Sequence, residues 1–334
     1  MGGMKVFLTG GTGYLGGALR AALLESGHQV TVWARRDPEG EKDSREEWIR
    51  GDLRDGAPPV DLLMRHRAVI HAAALVKTWA PDPSEFDRIN VDAWDKLLFA
   101  ATHAGVQKII HTSSFISLGP SPGPQPLREG ERRPRDDFRT DYERTKYLAD
   151  QVTDRWIARG APVVTVYPGV IYGPGSCGDG NLVGKMIWLL ARGKFPGIIG
   201  SGKQVWNLAY LPDVAQGHCL ALERGLPGSS FILGGENIPL GDLVARVARL
   251  LGRSSRVPRI PVGIAEWLGG WMEKRASRTG AAPDLTRGVA AVYRQNWSYD
   301  SSQAEKTLGY RRTPFAEALD VTVQWARELK EWKN

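Results

Sequence analysis

Three features of the chain predict an α/β fold, a doubly wound parallel sheet followed by a smaller C-terminal α/β region. Short runs that are apolar throughout alternate with amphipathic helical ones across the first half, as in parallel sheets buried on both faces. A glycine-rich turn, TGGTGYLG at 9–16, stands between the first strand and the first helix. After Pro168 the texture changes to short helices, isolated strands and a Gly-rich loop at 173–181.

The elements follow in order. KVFLTG at 5–10 forms the first strand, and Leu15 to Ser26 a helix with Gly27 at its C-cap. QVTVW at 29–33 is the second strand, and a short third lies within 46–52. RAVIHAAA at 67–74 is the fourth and KIIHTSS at 108–114 the fifth, joined by a helix from Asn90 to His103 that Gly105 closes. FRTDYERTKYLAD at 138–150 is rich in helix formers, and VVTVYP at 163–168 is the next strand. Further helices are predicted at 182–193, 240–251, 262–275 and 314–329, and strands near 205–211 and 230–233. PGPQP at 122–126 reads as a flexible insertion.

Composition narrows the function classes. With 334 residues, 42% of them hydrophobic, the chain can bury a sizeable core. No run of eighteen apolar residues argues for stable membrane insertion. MGGMKVFLTGG lacks the features of a secretory signal, and Val6 stands where a myristoylation signal wants Ser or Thr. Cys177 and Cys219, far apart and without a CxxC, suit a reducing, cytoplasmic setting. The six histidines show no metal-ligand spacing. The net charge of +7 is spread through mixed runs such as Arg132, Arg133 and Arg135. It reads as a solvated basic surface, with attraction toward phosphorylated ligands as the alternative, and no basic stripe with interleaved aromatics points to nucleic acid.

The glycine turn carries the first chemistry. Gly10 allows a tight turn, Gly13 lets the backbone approach a pyrophosphate, and Gly16 lets the helix pack on the sheet. Thr12, Tyr14 and Leu15 complete this Rossmann-type turn, whose helix N-terminus presents free N–H groups to phosphate. At the end of the second strand, NAD-selective proteins place Asp or Glu to accept the ribose hydroxyls. This chain has Ala34 followed by Arg35 and Arg36, which suits a 2′-phosphate and favours NADP, with NAD as the alternative. Asp52, followed by Leu53, ends the third strand where a carboxylate can meet the adenine edge. Tyr142 and Lys146 lie one helical turn apart on one face. Ser114 ends the fifth strand, so Ser114, Tyr142 and Lys146 can converge beside a nicotinamide. Lys146 and the charged ring would then lower the phenol from its usual value near 10.

TGGTGYLG, GDL, HAAA, TSS, YxxxK and YPGVIYGPG, in this order, resemble the extended short-chain dehydrogenase/reductases over nearly the whole chain. Within that superfamily the chain looks most like the dihydroflavonol-reductase-like branch, with farnesol dehydrogenases and hopanoid-associated sugar-epimerase-like proteins as the nearest likeness. WAPDP at 79–83, ILGGEN at 232–237 and NWSYDSSQAEKTLGY carry the finer match. The resemblance implies Tyr142 as general acid/base, Lys146 on the nicotinamide ribose, and Ser114 on the reacting oxygen, with Ser113 the fallback. It also implies that His71, Ala72 and Ala73 line the cofactor's middle. Asn90 would support a proton relay, and Pro168, Val170 and Ile171 would flank the nicotinamide.

One departure is informative. Nucleotide-sugar epimerases carry an R-D-x-x-H-V segment whose Arg holds a diphosphate, and here Trp206 opens the matching WNLAYL. Asn181-Leu182 matches a uridine-phosphate contact of epimerases, though a helix start also favours Asn. The implied activity is an NAD(P)-dependent interconversion of a hydrophobic alcohol, prenyl-like or aromatic, with its carbonyl. A nucleotide-sugar epimerase or dehydratase and a non-catalytic dinucleotide sensor are the rivals. Residues 1–170 would bind dinucleotide and 171–334 mainly substrate, with crossovers; homodimers are common in the superfamily. Ile264, Trp267, Leu268, Trp271 and Met272 recur at helical spacing, as a lid or core face or as a membrane-surface helix flanked by Lys274 and Arg275.

Overall fold

The computed structural model describes residues 3–37, 43–123, 125–132, 135–176 and 180–329. Pro38, Pro124, Arg133 and Cys177 lie outside the described residues. Six strands, all but β2 and β3 separated by helices, open the chain: β1 (Lys5–Thr9), β2 (Gln29–Ala34), β3 (Glu46–Arg50), β4 (Ala68–His71), β5 (Lys108–Thr112) and β6 (Val163–Pro168). With the strand Ser230–Leu233 they form a seven-stranded sheet, ordered Ser230–Leu233, β6, β5, β4, β1, β2, β3. Every neighbouring pair is parallel. The order runs one way from β1 to β3 and the other way from β4 onward. Such a reversal opens a crevice at the carboxyl ends of β1 and β4.

Alternation along the strands fills both faces. Val6, Leu8, Val32, Ile70 and Ile110 pack with Leu19 and Leu23 of α1 (Tyr14–Glu25). Phe7, Val69, Ile109 and Val163 pack on the other face with Trp94, Leu97, Leu98 and Val152.

Two of the differences from the sequence expectation bear on the sheet and the cleft. The helix predicted from Asn90 begins at Ser84, passes through a π-helical turn at Arg88–Asp92 and continues as Ala93–His103. Such turns gather at functional sites. The helix Leu211–Arg224 is not predicted at all, because Pro212 and Gly217 interrupt the pattern. Its proline sits in the first turn, where it is tolerated. Its Ala215, Cys219 and Leu222 cover the sheet beside α1. This helix and the strand Ser230–Leu233 return the chain to the sheet from beyond residue 170.

A three-stranded sheet, ordered Glu236–Pro239, Val205–Tyr210, Val170–Tyr172, forms the second layer. It anchors a core of Tyr172, Trp206, Trp297, Tyr299 and Phe315. Among the described residues no helix is long and apolar enough to cross a membrane.

Candidate active site

The glycine turn is shaped by close approach of backbone to backbone. Gly10 has φ +80°, and a Cβ there would lie 2.5 Å from the Ala73 nitrogen. A Cβ on Gly16 would lie 1.9 Å from the Gly10 carbonyl oxygen. Neither position accepts a side chain. A Cβ on Gly13 would meet only that oxygen, at 3.3 Å, within a 4 Å radius. Its outer side faces the cleft, leaving room for a ligand to touch backbone. Gly13 N donates to Gly10 O at 2.9 Å, closing the turn, and Gly13 is the N-cap of α1. Tyr14 Oη donates to Gly173 O at 2.8 Å, tying the turn to the second layer.

A cleft of about 740 Å³ runs from this turn in two directions. Gly10, Thr12, Gly13, Tyr14, Leu15, Gly16, Ala72 and Ala73 line its middle. Ala34, Arg35, Asp52 and Leu53 border one end; Ser114, Tyr142, Lys146, Pro168, Val170 and Ile171 border the other. The open glycine face and the cleft's length fit a nicotinamide dinucleotide.

Three residues expected at the cleft stand elsewhere. Arg36 is exposed outside it, since consecutive residues leaving β2 point apart. His71 lies beneath the surface, its Nδ1 2.7 Å from Thr9 Oγ1 and its ring stacked on Trp94 at 4.7 Å. Burial holds its pKa well below the ordinary value. Asn90 is buried in the π-helical turn, where Oδ1 accepts from Leu75 N at 2.7 Å and Nδ2 donates to Thr145 Oγ1 at 3.0 Å. It therefore braces the Leu75 segment of the cleft wall against the Tyr142 helix. Asp52 lines the cleft with its carboxylate paired to Arg54 at 2.6 Å, whose hydrogen bonds hold it below its ordinary pKa.

Tyr142 and Lys146 project from the helix Asp141–Ala158. Thr140 caps it, its Oγ1 accepting from Glu143 N at 3.1 Å. Asp141 and Glu143 in the first turn suit the positive end of the dipole. The fully buried Glu143 pairs with Arg135 and, at 3.1 Å, with Arg139. Arg144 forks onto Asp87 with two bonds of 2.7 Å. These contacts hold the first turns of the helix in place.

Ser114 caps the short helix Phe115–Leu118 and borders the cleft together with Tyr142, where it acts to lower the phenol's pKa. Ser113 Oγ lies instead 3.2 Å from Ser117 Oγ. Ser114, rather than Ser113, is the serine that bears on the Tyr142 phenol. Lys146 is buried and donates to Thr112 O at 2.9 Å.

The expected lowering of the phenol is not a property of the protein alone. Burial pushes Tyr142 up to about 12, against the opposing Ser114 hydrogen bond. Burial also pulls Lys146 down to about 8, while the Asp150 carboxylate works to raise it. Desolvation penalises both charged forms and outweighs the support that Ser114 and Asp150 give.

Behind Lys146 lies a polar group not foreseen from the sequence. Asp150, one turn further along the helix, sits 3.3 Å from His111 Nε2 on β5 and 3.2 Å from Arg132 Nη1. His111 stacks on Trp94 at 4.4 Å. Burial opposes the charge on Asp150, but His111, Arg132 and Ser113 hold its carboxyl below the ordinary value. The i+4 spacing from Lys146 was the available signal; the partners come from distant segments.

The end bordered by Ser114, Tyr142 and Lys146 opens onto apolar walls. Phe115, Trp206, Val289, Val292 and Tyr293 line it. Trp206 is both core and wall: it is buried, and its ring lies 4.7 Å from that of Tyr293, tilted by 34°. Asn181 is fully committed to structure. Its Oδ1 accepts from Gly184 N at 2.8 Å, and its Nδ2 donates to Gly173 O at 3.0 Å and Ser176 O at 2.8 Å.

A glycine turn at the switch point of a doubly wound sheet, leading to Ser, Tyr and Lys, defines a nicotinamide-dinucleotide enzyme of the short-chain dehydrogenase/reductase type. Residues 6–234 match the NAD dependent epimerase/dehydratase family, and the chain belongs to that family, in its extended form. It is 30% identical over 333 residues to sterol demethylase protein B of Methylococcus capsulatus, covering 97% of this chain and 99% of that one. It is 28% identical to 2-alkyl-3-oxoalkanoate reductase of Stenotrophomonas maltophilia, covering 92% and 94%. The solved structure of MoeE5 with UDP-glucuronic acid and NAD superposes with a TM-score of 0.74 at 27% identity, covering 97% and 99%. The protein is an enzyme of an NAD(P)-binding family that includes both reductases and sugar-nucleotide enzymes.

Proposed function

We propose that the enzyme interconverts a hydrophobic alcohol and its carbonyl, with NADP as the preferred cofactor. The observation that carries this reading is Ser114, Tyr142 and Lys146 facing an apolar wall built on Trp206 and Tyr293. A sugar diphosphate would need a cation where Trp206 stands. Arg35 at the opposite end, with no acidic residue at Ala34, favours a 2′-phosphate.

A nicotinamide dinucleotide held along Gly10–Gly16 and the cleft would supply hydride to the carbonyl carbon, or accept it from the carbinol carbon. In the reducing direction Tyr142, protonated at neutral pH, donates its phenolic proton to the carbonyl oxygen as that oxygen becomes an alkoxide. Ser114, which borders the cleft beside Tyr142, donates a second hydrogen bond to the same oxygen. Lys146 sits one turn below and stabilises the phenolate left behind. Proton return to Tyr142 completes the cycle.

The test is reduced-nicotinamide absorbance with NADP and NAD offered against prenyl, sterol and aromatic alcohols and ketones. Tyr142→Phe should lower kcat by about 10²–10⁴ while leaving dinucleotide binding intact. Undiminished turnover in that variant would refute the mechanism. Tight cofactor binding with no net redox turnover, but interconversion of a sugar nucleotide, would refute the substrate class.

A further inference from the structure

The helix Val262–Thr279 presents an unusual stripe. Ile264, Trp267 and Trp271 are 56%, 72% and 52% exposed, and spacings of three and four residues align them on one face. Lys274, Arg275 and Arg278, all exposed, continue that face toward the C-terminus. The helix contains two acids, Glu266 and Glu273, and both are turned to the neighbouring helix Arg287–Tyr293. Glu273 pairs with Arg287 at 3.0 Å and Glu266 with Arg294 at 3.8 Å. The packed side is small: Ala265, Gly269 and Ala276 are buried, and a Cβ on Gly269 would lie 2.6 Å from the Thr286 carbonyl carbon. The stripe is therefore neither core nor, through these side chains, cleft wall.

We infer that this face docks the enzyme on an anionic lipid bilayer. Two indole rings beside a cluster of cations match the layering of a membrane interface, with rings at headgroup depth and cations among lipid phosphates. A protein partner would need an acidic and apolar counter-surface; a bilayer supplies both along one plane. The chain's net charge of +7 acts in the same sense. The neighbouring helix carries Val289, Val292 and Tyr293 of the cleft, so the docked helix is packed directly on an element that lines the substrate end.

The experiment is co-flotation of the full chain with phosphatidylcholine vesicles, with and without phosphatidylglycerol. Binding should require phosphatidylglycerol and fall in high salt. Trp267→Ser with Trp271→Ser, and separately Lys274→Glu with Arg275→Glu, should each lower the bound fraction about tenfold or more. None of these residues lines the cleft, so dinucleotide binding serves as the folding control and the outcome does not depend on the substrate reading. Wild-type protein that ignores phosphatidylglycerol vesicles, or variants that float as well as wild type, would overturn the inference. So would a dimer held by the two tryptophans in a protein that does not bind vesicles.

Discussion

The glycine turn after β1 and the wall around Trp206 border the same cleft, yet they are shaped by different atoms. At the turn, backbone meets backbone, and a single Cβ at Gly10 or Gly16 has nowhere to go. At the wall, side chains meet across the second layer, Trp206 on Tyr293 at 4.7 Å and Phe115 on Trp297 at 5.6 Å. The difference teaches which end tolerates change. Backbone complementarity to a dinucleotide leaves little freedom, while an apolar wall can be reshaped wherever volume is conserved.

Substitutions can break or sharpen that contrast. Gly16→Ala should act most strongly, since overpacking of about 1–3 kcal/mol translates into roughly a tenfold to hundredfold loss of dinucleotide affinity. Fluorescence titration measures it, and unaltered affinity would mean that the turn relaxes freely. Arg35→Ala should weaken NADP by about tenfold and leave NAD nearly unchanged, as expected for loss of a charge-assisted contact. Equal effects on the two cofactors would remove Arg35 from 2′-phosphate recognition. Trp206→Phe should raise KM for apolar substrates by roughly threefold through lost contact area, without changing cofactor affinity.

The smallest effect concerns Asp150. Lys146 in the folded chain titrates near 8, so its charge is lost as pH rises through that value, and turnover should decline there. Asp150→Asn removes the carboxylate that favours the charged form, moving this limb to lower pH by about one unit or less. A pH profile of kcat reads the shift; a limb that stays in place would confine Asp150 to holding His111 and Arg132. The lowered pKa also bears on stability. Between about 8 and the ordinary 10.5 the unfolded chain binds a proton at Lys146 that the folded chain does not. This residue's contribution therefore makes the free enzyme more stable as pH rises across that window.

Much of the fold and the centre of the site were legible because their signals are local. A glycine at φ +80° and a Tyr one turn from a Lys are encoded within a few residues. The parallel sheet followed from apolar runs separated by helices. Other features were not legible for equally physical reasons. Pro212 and Gly217 disguised the helix Leu211–Arg224, whose existence depends on covering the sheet beside α1. Arg36, His71 and Asn90 carry suitable chemistry, but neighbouring residues on a strand or turn point in different directions. The Tyr142 pKa went opposite to a reading of charge alone, because burial of the phenol depends on the whole wall around it.

By itself the sequence determined the dinucleotide turn, the parallel sheet and the Tyr142–Lys146 pair, since each rests on backbone conformation or on i, i+4 geometry. Tertiary structure alone decided that Asp150 meets His111 across 39 positions, that Trp206 serves as core and wall together, and that Trp267 and Trp271 face outward. Such contacts join segments distant in the chain, and burial is a property of the assembled layers rather than of any residue within them.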